Sequence, residues 1–327
     1  MLDTVLGKQI FEDFVNNQPQ LIGDNKQLEF WMSFIKFLKE GTNLQISNNI
    51  KESIFLNELT TGRNKTKISL IDFRKPKKNK FPKNTNPQTL FFIDVDNEEE
   101  QNRYRKNNSF IFGFINDYKQ VWRDCSLIDK EIKVFRVDTT KTYKNWDFIK
   151  DYLLPLSDIV FIDNYIFDIS LKISNLYEII KKLSLYAASV KFNLTIISYI
   201  GNKEDINIEQ EYNELKAYLN ENNINCNLSI ILSNRANKEH DRAIITNYLR
   251  IKSGDSFNFF KSSGELATKG TEIEFQTLTE SDKYLASNDT LYSIKRMINN
   301  LNEKSEKEKY IIGDYKKNKL LFFEDGK

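Results

Sequence analysis

The sequence predicts an α/β protein: a mixed sheet flanked by helices in the second half, preceded by a smaller α/β domain in the first. Two observations predict it. From Pro155 onward, apolar β-rich runs alternate with amphipathic stretches of helix length. That is the rhythm of β-α-β units whose helices cover the faces of a sheet. Before Pro155, a helical opening and a proline-rich interruption lead into further apolar runs of strand length. The chain has 327 residues, 40% hydrophobic and 29% charged with both signs mixed, which suits two domains with real cores.

In the first half, Leu28, Trp31, Met32, Ile35 and Leu38 recur at spacings of three and four, which marks one helix face for the core. Residues 67–73 read as a short strand. Residues 76–88 hold three of the five prolines among lysines and asparagines, a composition that suits an exposed loop. Residues 90–95, 109–115 and 131–137 read as strands. In the second half, residues 158–167, 192–200 and 227–232 read as strands. Between them lie a helix marked by Leu176, Ile179, Ile180, Leu183 and Ala187 and another over residues 208–219. Residues 242–252 read as a hairpin with Asn247 and Tyr248 near its turn, 272–278 as a strand and 290–301 as a helix. The expected division is 1–149, 150–302 and a charged tail over 303–327, whose apolar end at 320–323 suits docking on a partner.

Several function classes drop out. No run of about 18 apolar residues exists, so neither a membrane span nor a membrane partner is expected. The first 14 residues carry Asp3, Glu12 and Asp13 and lack a basic start followed by an apolar run, so no signal peptide is expected and the chain reads as cytoplasmic. Cys125 and Cys226 are the only cysteines, too few for a four-cysteine zinc site, and read as reduced. The richness in Lys, Asn, Ile, Phe and Tyr reads as AT-rich, bacterial coding. Net charge is +2, so nucleic-acid binding requires a local patch.

One such patch is present. Arg63, Lys65, Lys67, Arg74, Lys75, Lys77, Lys78, Lys80 and Lys83 face a single opposing charge, Asp72, with Phe73 and Phe81 among them. Cations of this density can track a phosphate backbone while a ring stacks on a base; a solvated loop is the plainer reading. The nucleic-acid-binding candidates are Arg63, Lys65, Arg74, Lys75, Lys77, Lys78 and Lys80. Asp94 and Asp96 with Glu98–Glu100 form an acidic cluster at a strand end, which suits Mg²⁺ but more simply ends a strand in a polar turn. No metal site and no cofactor is expected: the chain has no Gly-rich phosphate loop, no Gly-x-Ser-x-Gly and no zinc spacing.

The one histidine, His240, lies in Glu239-His240-Asp241-Arg242-Ala243-Ile244-Ile245-Thr246-Asn247, with Gly254, Asp255 and Ser256 beyond. On a strand His240 and Arg242 share a face. The slots His240, Arg242, Asn247 and Gly254 resemble the phospholipase D-like motif: His, any residue, Lys, four residues, Asp, six residues, then Gly and a small polar residue. Phe161-Ile162-Asp163-Asn164-Tyr165 resembles the strand, ending in Asp and Tyr, that often opens that family's sheet. The resemblance spans about residues 150–302. With Arg for Lys and Asn for Asp, it is closest to degenerate, non-catalytic members such as the C-terminal domain of MIT-domain proteins.

In active members, the family implies, the His attacks phosphorus, the Lys stabilises phosphoryl oxygens and the Asp tunes the His. Here Arg242 keeps a phosphate-pairing cation, but the neutral Asn247 cannot hold an imidazolium as a carboxylate does. Active members also need two facing copies, and one histidine per chain means a second would come only from another subunit. The expected function is therefore recognition, of nucleic acid or a protein partner, in a bacterial defence or mobile-element setting. The alternative is a homodimeric phosphodiesterase, a nuclease with His240 as nucleophile. His240, Arg242 and Asn247 are the catalytic candidates in that reading.

Overall fold

The computed structural model describes residues 1–19, 25–47, 59, 68–71, 81, 85–126, 132–136, 143–188, 191–201, 205–234, 241–267 and 270–323. The chain is α/β throughout and divides into two compact units. One comprises Met1–Ile128 and Thr277–Leu285, the other Asp129–Gln276 and Ala286–Glu324. The boundary thus lies near residue 128, not 149. Among the described residues, no helix is long and apolar enough to cross a membrane.

The first unit is built from β1 (Leu2–Leu6), α1 (Lys8–Asn16), α2 (Asn25–Lys36), β2 (Thr42–Ser47), β3 (Ile68–Ile71), β4 (Thr89–Phe92), α3 (Glu98–Asn107), β5 (Ile111–Gly113) and α4 (Tyr118–Ser126). Its five strands are all parallel, in the order β3-β2-β1-β4-β5. Every residue of β4 is buried, as a parallel sheet covered on both faces requires. The expected buried face holds at Ile35 and at Leu38, just past α2, and fails at Met32. Met32 is 56% exposed, while Phe30, Phe34 and Ile35 are buried and Phe34 packs against Phe14, Phe92 and Trp122. The Phe30 and Phe34 rings bury large apolar area, which favours this rotation of the helix. Phe81 is partly buried and packs against the core: its ring lies 4.2 Å from that of Phe91, beside the cluster of Tyr104, Phe112 and Phe114. It is not offered to a base.

The second unit contains β6 (Ile132–Arg136), β7 (Asp158–Ile162), α5 (Glu178–Ser184), β8 (Phe192–Tyr199), α6 (Ile208–Glu221), β9 (Cys226–Ser233), β10 (Ala243–Thr246), β11 (Leu249–Ser253), β12 (Gly270–Thr277), most of α7 (Ser281–Asn302), β13 (Ile311–Gly313) and α8 (Lys319–Phe322). The eight strands lie in the order β13-β9-β8-β7-β10-β11-β12-β6. The β7-β8-β9 core is parallel, whereas β10 runs antiparallel to β7, β13 to β9 and β6 to β12. The sheet is mixed, as expected. The run over 131–137, assigned by sequence to the first domain, is an edge strand here.

The expected charged tail is also part of this unit. Asn318 is 1% exposed, and its Nδ2 donates to Ile159 O at 2.9 Å and Thr195 Oγ1 at 3.0 Å. Lys319 N donates to the buried Asp158 at 2.8 Å. These polar bonds tie α8 to β7 and β8. At the β13 edge, Gly313 has φ +85°, and a Cβ there would sit 2.3 Å from Leu228 O. Gly313→Ala is therefore expected to cost about 1–3 kcal/mol, read from urea midpoints.

Candidate functional site

Because β10 opposes β7, its N-terminal end meets the C-terminal ends of the parallel strands at one edge of the sheet. The register pairs Ala243 with Ile162. Arg242 therefore stands beside Asp163, the first residue past β7. In α/β sheets this edge is where ligands bind.

Asp163 is fully buried and accepts three hydrogen bonds: from Tyr165 N at 2.9 Å, Ser256 Oγ at 2.8 Å and Phe257 N at 2.6 Å. Burial pushes its carboxyl above the ordinary range, against the pull of these donors and the Arg242 charge. The bonds lock the turn after β7 to the segment following β11. Arg242 donates from Nη1 to Gly254 O at 3.3 Å, and its guanidinium carbon lies 5.9 Å from the Tyr165 ring centroid. Its Nε is buried without a hydrogen-bond partner. The Tyr165 ring is itself 49% exposed. Behind Arg242, the carboxylate of Asp241 is held at 2.9 Å by the buried Arg250. The edge thus presents a cation beside an exposed ring, and the buried Asp163 carboxylate accepts through both of its oxygens.

Asn247 is elsewhere. It follows Thr246, which pairs with Ile159 at the opposite end of β7. Five residues of strand put it about 17 Å from Arg242. Its Oδ1 accepts from Ser157 N at 2.7 Å and Asp158 N at 3.1 Å, and its Nδ2 donates to Ser157 Oγ at 3.1 Å. It pins the start of β7 and does not share the edge with Arg242. Gly254, the fourth motif slot, does share it, through its carbonyl. His240 lies outside the described residues, as do Arg63, Lys65, Arg74, Lys75, Lys77, Lys78 and Lys80.

In the first unit the strand order reverses between β1 and β4, which makes their C-terminal ends the switch-point crevice. Asp94, from the acidic cluster, fills it. Its carboxylate accepts from Gln9 N (3.1 Å to each oxygen) and Ile10 N (3.4 Å) at the start of α1. Asn97 caps α3 through Glu100 N at 3.0 Å, and Glu98–Glu100 form that helix's first turn. The cluster satisfies two helix N-termini.

Sequence reasoning named Asp163 and Tyr165 only as a strand ending. It missed that Ser256 and Phe257 hold Asp163 and that Tyr165 flanks Arg242. The available signal was position: Tyr165 comes just past an apolar strand, at the edge where parallel strands end. No protein-family model matches the chain, and no curated protein matches it.

Proposed function

We propose that the second unit is a recognition module on a degenerate phospholipase D-like domain, and that it binds the phosphate backbone of nucleic acid at the edge formed by Arg242 and Tyr165. One observation carries this reading: the Arg242 guanidinium, half-buried and bonded through Nη1 to Gly254 O, stands 5.9 Å from the ring centroid of the exposed Tyr165. Guanidinium matches phosphate geometry, and a ring beside it can stack on a base of any sequence. Asp163 supports recognition over chemistry, because its carboxylate is fully buried and engaged by three donors that tie the turn after β7 to the segment following β11. The basic run from Arg63 to Lys80 adds a separate phosphate contact in this reading. The alternative is a homodimeric phosphodiesterase, in which His240 beside Arg242 in sequence would supply the nucleophile. The setting that fits either is a bacterial defence system or mobile element. Exposed Ile169 and Ile173 follow Tyr165, so a protein partner is the competing outcome of the test below.

The test is fluorescence-anisotropy titration of single-stranded DNA and RNA across a salt series. Arg242→Gln and Tyr165→Ala should each weaken binding about tenfold, by roughly 1–3 kcal/mol for a lost stack. Replacing Lys75, Lys77, Lys78 and Lys80 with Ala should flatten the salt dependence by about 0.7 of a log-log unit for each phosphate no longer neutralised. Wild-type binding that neither edge variant alters would remove the edge from the interface; no binding by the wild type would leave the protein-partner outcome.

A further inference from the structure

At the far end of the second sheet, near the starts of β8 and β9, a groove of about 560 Å³ opens to solvent. That is the size of a small-molecule site. Lys191, Lys216 and Lys317 line it, and its only carboxylate is Asp314. Asp314 is already paired with Lys317 at 3.0 Å. Lys191 and Lys216 have no ion pair among the described residues. The Lys216 ammonium is held over the Tyr212 ring, 5.4 Å from its centroid. Cys226 does not supply a compensating negative charge: burial raises its thiol to about 12, so it stays neutral. The lining is partly apolar and includes Leu219, Ile224 and Leu228. A concave surface with two uncompensated ammoniums, side-chain amides and a partly apolar lining is complementary to a small organic anion.

We infer that this groove is a second anion site that takes a nucleoside phosphate, with Lys191 and Lys216 on the phosphate oxygens and the ring system against the apolar part of the lining. The same chemistry occurs in a free mononucleotide and in an oligonucleotide end. The groove lies at the end of the sheet opposite Arg242, so the inference does not depend on the recognition reading.

The experiment is calorimetric titration of the full chain with ATP and with a 5′-phosphorylated oligothymidine, for the wild type, the Lys191→Gln/Lys216→Gln double variant and Arg242→Gln. Thermal melts check folding, and both lysines are exposed, so the double variant should melt like the wild type. The double variant is expected to bind ATP at least about tenfold more weakly than the wild type, and Arg242→Gln separates out any phosphate binding at the Arg242 edge. If only the oligonucleotide binds and the double variant loses it, the groove takes nucleic-acid ends. No binding of either ligand, or equal binding by the double variant, would overturn the inference. Loss of oligonucleotide affinity in Arg242→Gln alone would bear on the Arg242 edge and not on the groove.

Discussion

Asp163→Ala should lower the unfolding free energy by about 3–4 kcal/mol, because it strips the acceptor from two well-buried donors and one at the rim. The Phe257 N–H and the Ser256 hydroxyl both donate to this one carboxylate oxygen, and each buried donor left unmade costs about 1–3 kcal/mol. The Tyr165 N–H is less buried and contributes less. For a unit of this size the change corresponds to a fall in melting temperature of about 10 °C. Asp163→Asn keeps an acceptor but brings an NH₂ group against donors, so an intermediate loss is expected. Differential scanning calorimetry of the three proteins reads the series directly. A wild-type melting temperature for Asp163→Ala would mean that the turn after β7 does not depend on this carboxylate.

Lys172→Met should be comparably damaging. Lys172 Nζ donates to both Glu211 oxygens, at 2.9 and 2.8 Å, and to Glu214 Oε2 at 2.6 Å. The Lys172 and Glu211 side chains are only 7% and 10% exposed. Removing the cation leaves Glu211 buried without its partner, a loss of about 3–5 kcal/mol; Glu214, 41% exposed, is solvated and adds little. Changing both partners, Lys172→Met with Glu211→Leu, should recover most of it. The pH dependence has a definite sign. Burial already raises the Glu211 pKa, and without Lys172 it rises further. A carboxyl raised in the folded state is penalised above its folded pKa and not below its unfolded one. The deficit of Lys172→Met should therefore be largest at neutral pH and shrink toward about pH 5. Urea midpoints at the two pH values check this, and a deficit independent of pH would assign the loss to packing.

The features that were legible in the sequence are those set by local pattern. The β7-α5-β8-α6-β9 succession follows from runs and periodicities within a few residues, and the hairpin over 242–252 lies where its turn residues put it. What was not legible depends on pairing across the chain. β6 alternates like any strand, and only its bonds to β12, more than a hundred residues later, assign it to the second sheet. Lys172, Glu211 and Glu214 look like solvated charges until α6 brings them together. Asn318, in a lysine-rich tail, gives no sign that its amide is buried against β7. At the site, the spacing put Arg242 and Gly254 together but also joined Asn247 to them, and strand geometry separates it. A motif written along one strand spans both ends of a sheet, and only one end forms the site.

In the proposed reading the Arg242 edge recognises nucleic acid and does not cleave it. Metal-free incubation of end-labelled single- and double-stranded DNA and RNA with the wild type and with His240→Ala, read on denaturing gels beside thermal melts, tests it most directly. Full-length strands are expected with both proteins. Strands shortened by the wild type and left intact by a fully folded His240→Ala protein would overturn the recognition reading, because cleavage would then depend on the His240 side chain.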